Sequence, residues 1–166
     1  MNQGLIDNWN SVVTNEDTTM ICGDFCWTKE ERWIEILEQL NGHKQLVLGN
    51  HCLKHMSKNL KRHFQDIEEY KEITDNGHHI ILSHYPIMAY KGAYDEKTWM
   101  VHGHTHLTRE QRFVEQWTQK LVESRSERGD SWGHVINCGV MMPWMDWSPQ
   151  PLEVLIAAWE SKYNTK

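Results

Sequence analysis

Trp99-Met100-Val101-His102-Gly103-His104-Thr105-His106 runs from an apolar segment into a glycine and then into two imidazoles two positions apart. In an extended segment, residues two apart project to one side, and the glycine is too small to crowd a bound ion, so the pair reads as part of a metal site. Three clusters upstream repeat the arrangement: Gly23-Asp24 after residues 18–22, Gly49-Asn50-His51 after residues 45–48, and Ser83-His84 after residues 78–82. Each follows a β-like apolar run. Polar residues gathered where strands end point to a site at the carboxyl edge of a sheet.

The segments between these clusters alternate helix and strand. Leu5, Ile6, Trp9, Val12 and Val13 recur at helical spacing, so the first dozen residues read as an amphipathic helix. Thr28 and Glu31 have the spacing of a capping box leading into the Trp33-Ile34-Leu37-Leu40 stripe, which Asn41-Gly42 closes. A basic helical stretch covers residues 57–64. Asp75-Asn76-Gly77 is a hairpin turn between strands at 69–73 and 78–82. Residues 112–124 read as a helix, 126–130 as a polar loop, 135–140 as a late strand, and 152–159 as either a terminal helix or a strand continuing into one. The alternation argues for an α/β fold.

Composition narrows the function classes. The 166 residues, 39% of them hydrophobic, suit one globular domain over residues 1–166. No run approaches the roughly 18 apolar residues of a membrane span, so no membrane partner is expected. The N-terminus has neither a basic start nor a long apolar stretch, and four scattered cysteines (Cys22, Cys26, Cys52, Cys138) do not make a disulfide scaffold, so a cytoplasmic setting is expected. A formal net charge of −6 opposes clamping of long nucleic acid.

Asp24, Asn50, His84 and His104 offer a carboxylate, an amide oxygen and two imidazoles, with no thiolate. Such a set suits manganese first, with iron, zinc or nickel as alternatives, in an open catalytic site rather than a closed structural one. Asp24 can bridge to a second ion held by His106. Two ions about 3.5 to 4 Å apart share a hydroxide, polarise a phosphoryl oxygen and stabilise both the attacking and leaving oxygens, which is phosphoester hydrolysis. His51 stands beside Asn50 and points the other way if the segment is extended, so it is assigned as general acid.

These clusters, in this order, resemble the calcineurin-like metallophosphoesterase superfamily, in particular its small bacterial and bacteriophage members. The resemblance covers most of the chain. It implies a four-layer α/β/β/α sandwich with mixed sheets and a dinuclear centre bridged by Asp24. It also implies one ion on Asn50, His84 and His104, the other helped by His106, and His51 as acid or transition-state stabiliser. Members of the superfamily open with a strand ending in Asp-x-His, and no such motif precedes Gly23. The expectations are therefore a missing first strand, one strong and one weak ion site, and self-association through the exposed strands. Cys52 stands where many relatives place an acidic residue.

Two other functions compete with hydrolysis. A catalytically inactive module that keeps the fold for protein contacts is motivated by the incomplete ligand set and the aromatic-rich C-terminal part. A single-strand nuclease is opposed by the acidic balance. Among the other histidines, His43, His55, His63 and His134 read as solvated, His78 and His79 as exposed, and His102 as either a partner to a ligand or a packed strand residue. The nine tryptophans, Trp144 and Trp147 included, read as core filling.

Overall fold

The computed structural model describes residues 3–124 and 133–163. From the N-terminus come α1 (Gln3–Val12), β1 (Thr18–Cys22), α2 (Glu30–Leu37), β2 (His43–Val47), α3 (Lys58–Lys61), β3 (Asp66–Glu68), β4 (Tyr70–Asp75), β5 (His78–Ser83), β6 (Thr98–His102), α4 (Arg109–Glu123), β7 (Val135–Asn137), a 3-10 turn at Pro143–Met145 and α5 (Leu152–Tyr163). Strands β1, β2 and β3 form one sheet in that order, all parallel, with Thr18 opposite His43 and Gln45 opposite Asp66. The second sheet runs β4-β5-β6-β7 and is mixed: β4 and β5 are antiparallel, the remaining pairs parallel.

Side-chain alternation explains the layering. On the first sheet, Ile21 and Leu46 turn outward to meet Trp9 of α1, Trp33 and Ile36 of α2 and Leu60 of α3. The residues between them, Met20, Cys22 and Val47, face the second sheet and meet Ile80, Leu82, Trp99 and Val101. On that sheet the alternate positions Ile81, Met100 and Val135 pack under Val114 and Trp117 of α4. Helix, sheet, sheet and helix are thus stacked in the expected four-layer sandwich. Helix α5 adds Leu155 and Trp159 to the inter-sheet cluster.

Among the described residues β1 pairs with β2 alone, and on its other side a cleft of about 1120 Å³ opens between the sheets. Met20, Cys22, Ile73, Leu82, Val101 and Leu155 line it, together with Asp24, His84 and His104. Among the described residues no helix is long and apolar enough to cross a membrane.

Several local expectations are corrected. Lys29, not Thr28, is the N-cap of α2, and the Thr28 hydroxyl reaches Cys26 Sγ and the Lys29 carbonyl instead of the helix amides. The helix stops at Leu37, and Gly42, at φ 75°, turns the chain into β2 rather than capping a helix. The basic stretch condenses to the single turn α3, capped by Ser57, whose side chain accepts from the Leu60 N–H. The late strand ends at Asn137, because Asn137 Oδ1 accepts the Gly139 N–H and bends the chain away. His134 is buried, not solvated: its ring stacks on Trp99 at 4.6 Å and meets the edge of Trp159. The expected loop at 126–130 lies outside the described residues.

Trp33 links the core to the site. Its side chain is fully buried and Nε1 donates to the Cys26 carbonyl at 2.9 Å, fixing the loop that follows Asp24. Trp33→Ala should lower unfolding free energy in urea by about 3–5 kcal/mol, the usual loss for a buried tryptophan. A loss below 1 kcal/mol would mean that the helical layer is not anchored there.

Candidate metal centre

The site assembles because backbone packs against imidazole with no room for a side chain between. Gly23 sits at φ 83°, and a Cβ there would overlap the His84 ring; a Cβ on Gly49 would overlap Asp24 Oδ1, and one on Gly103 would lie 2.7 Å from the Cys22 carbonyl oxygen. The glycines that lead each cluster therefore let three strand ends close on one point.

His84, just beyond β5, is 2% exposed. Its Nδ1 lies 2.9 Å from the Cys22 carbonyl oxygen. A carbonyl only accepts, so Nδ1 carries the hydrogen and Nε2 of the neutral ring presents a lone pair. Around Nε2 stand Asn50 Oδ1 at 2.9 Å, His104 Nδ1 at 3.2 Å and Asp24 Oδ2 at 3.3 Å. Asp24 Oδ1 accepts the His51 N–H at 2.8 Å, whereas Oδ2 is buried with no hydrogen-bond partner. Donor atoms of Asp24, His84 and His104 all lie within 4.8 Å of one another. With the ring neutral, two acceptor oxygens face a nitrogen lone pair with no hydrogen between them. A divalent cation resolves that repulsion, and the mixed oxygen and nitrogen set fits one.

The remaining sequence candidates are placed differently. His106 is exposed and is absent from the close group of Asp24, His84 and His104, although it lines the cleft with them. The extended-segment argument for the two imidazoles is overturned, because His104 and His106 have φ 62° and 44°, in left-handed turns. A left-handed residue breaks strand alternation, so the turn aims each ring. The same correction applies to His51, which lies in a turn with its ring exposed and tilted against Trp27, centroids 4.1 Å apart.

A buried polar network holds the histidine turn. Thr105 Oγ1 donates to Gln111 Oε1 at 2.6 Å, and Asn137 Nδ2 donates to both, at 3.0 and 2.8 Å. Gln111 and Asn137, 5% and 1% exposed, escaped the sequence reading. The signal for Asn137 was an amide inside an apolar strand; for Gln111 it was a polar residue on the inward face of a helix. His102 is fully buried, with Nδ1 at 2.8 Å from the Gly103 carbonyl oxygen. Two tryptophans assigned to the core are on the surface: Trp27 is 68% exposed and Trp147 54%.

The sequence pattern of the calcineurin-like phosphoesterases matches residues 3–157. This chain belongs to the calcineurin-like phosphoesterase family. The family's chemistry is metal-dependent hydrolysis of phosphoesters, in keeping with the donor set. The chain is similar to an uncharacterised protein of Methanocaldococcus jannaschii, 33% identical over 108 residues, covering 64% of this chain and 53% of the relative. It thus spans about half the length of that curated relative. Among solved structures it is similar to a protein of unknown function from Aquifex aeolicus, with TM-score 0.63 and 27% identity over 93% of this chain and 83% of the other.

Two measurements probe the centre. Manganese at a hundredfold excess over its Kd should stabilise the fold by about 2.7 kcal/mol. His104→Ala and Gly49→Ala, whose added methyl displaces the Asp24 carboxylate, should each erase most of the thermal shift. An undiminished shift in both would move the ion elsewhere. Burial lowers the His102 pKa from 6.5 to about 4. Between those values the unfolded chain binds a proton that the folded one refuses, so this contribution is present above pH 6.5 and is lost as pH falls through the window. In urea titrations the slope of stability against pH should shrink in His102→Phe by up to about 1.4 kcal/mol per unit.

Proposed function

We propose that this chain hydrolyses phosphomonoesters or phosphodiesters at cations held by its own strand ends, with Asp24, Asn50, His84 and His104 as ligands and His106 joining Asp24 toward a second ion. Manganese is the ion of choice in this reading, the dinuclear centre is shared between the two ligand sets, and the setting is the cytoplasm. Residues 1–166 act as one domain. The observation that carries the reading is the buried, unpartnered Asp24 Oδ2 beside the lone pair of His84 Nε2. When bound, a divalent cation polarises the phosphoryl oxygen and makes water nucleophilic near neutral pH.

The chain's own groups supply the rest. Asp24 is oriented by the His51 N–H, so the ligand and the acid candidate are set by one hydrogen bond. His84 is held in one tautomer by the Cys22 carbonyl and cannot rotate away. The His51 ring is exposed beside the cluster, where it meets the departing oxygen and delivers a proton to it.

A leaving-group series separates this reading from a binding module. With manganese, wild type should turn over both aryl and alkyl phosphoesters, and Asn50→Ala or His104→Ala should lose well over tenfold on both. His51→Ala should lose about 10²- to 10⁴-fold on an alkyl ester, which needs its oxygen protonated, and only a few-fold on the p-nitrophenyl ester. Equal losses on both esters would remove the proton-donor role. No turnover in wild type would leave the interaction module.

A further inference from the structure

We propose that Trp27 is the platform on which the substrate's leaving group stacks, and that this group is a nucleoside, so that the substrate is a nucleoside phosphoester. The inference rests on the hydrolytic reading above and deepens it. The indole of Trp27 lies against the His51 ring at 4.1 Å and 36°, yet 68% of the residue is open to solvent. A proton donor has to touch the oxygen that departs, so whatever that oxygen carries emerges beside His51 and therefore over Trp27. Tyr85, 48% exposed, sets its ring edge-on to His84 and His104 at 5.0 and 4.6 Å. A second exposed aromatic ring thus lies against the ligands.

Among the described residues lining the cleft between the sheets, Lys71 is the one lysine or arginine, and Asp66 and Glu68 already pair with it. Trp27 and His51 are not among the residues that line that cleft, and the open indole offers stacking to a group that emerges beside them. Every nucleobase presents a π-face to such a platform, so the base is held without being read.

The test compares AMP with ribose 5-phosphate, which share the scissile bond and differ by the base. With manganese, the wild-type KM for AMP should be roughly tenfold lower than for ribose 5-phosphate. Trp27→Ala should raise the AMP value roughly tenfold and leave ribose 5-phosphate unchanged, while Trp27→Phe retains most of the preference. Circular dichroism should show both variants folded, since the side chain lies at the surface. Equal kcat losses on both substrates in Trp27→Ala would make Trp27 a positioning residue for His51 and overturn the proposal, as would equal KM values in wild type. If neither ester is cleaved, calorimetric titration of the manganese-loaded protein decides. Trp27-dependent preference for AMP would uphold the platform while the hydrolytic reading fails, and no preference would end both.

Discussion

The hydrogen bond between His84 Nδ1 and the Cys22 carbonyl is the constraint from which the site follows. Cys22 ends β1 of one sheet and His84 follows β5 of the other, so the bond joins the two sheets at their carboxyl ends. It also selects the tautomer and leaves a lone pair on Nε2, toward which Asp24, Asn50 and His104 converge. Without that bond His84 is one more buried imidazole, and the remaining donors lose the atom they share. A single backbone acceptor therefore sets protonation, ring orientation and the apposition of the sheets together.

Much of this architecture was legible from residue pattern alone. Asn76-Gly77 names its own turn, because both residues adopt positive φ and the flanking alternation fixes the hairpin. Four glycine- or serine-led clusters, each after an apolar run, disclosed where strands end. What stayed hidden was conformation inside the turns. The spacing of His104 and His106 was interpreted as strand geometry, and only their left-handed φ values show that the two rings are aimed independently. Thr28 and Glu31 have the letters of a capping box, but the Thr28 hydroxyl has nearer partners. His134 looked solvated because sequence does not reveal that Trp99 and Trp159 come from distant segments to enclose it.

Exposure was the other blind spot. Nine tryptophans in a small chain suggest core, and Trp33, Trp99 and Trp159 are indeed buried. Trp27 obeys a different logic, because its position is dictated by the loop after Asp24, which Trp33 pins through the Cys26 carbonyl. One indole is interior so that another is presented at the rim. Polar residues show the converse: Gln111 and Asn137 are inside because each completes the bonding of the other around Thr105.

The glycine packing has an evolutionary consequence. Where Gly23, Gly49 and Gly103 press against His84, Asp24 and the Cys22 carbonyl, any side chain collides with a ligand or with the backbone that orients one. A side chain is thereby shut out of that inner wall, whereas Trp27 and Tyr85, open to solvent, can be exchanged without a collision at any of the three glycines. Tolerance of mutation is thus divided by depth, with an inner wall that forbids added atoms and a surface that accepts them.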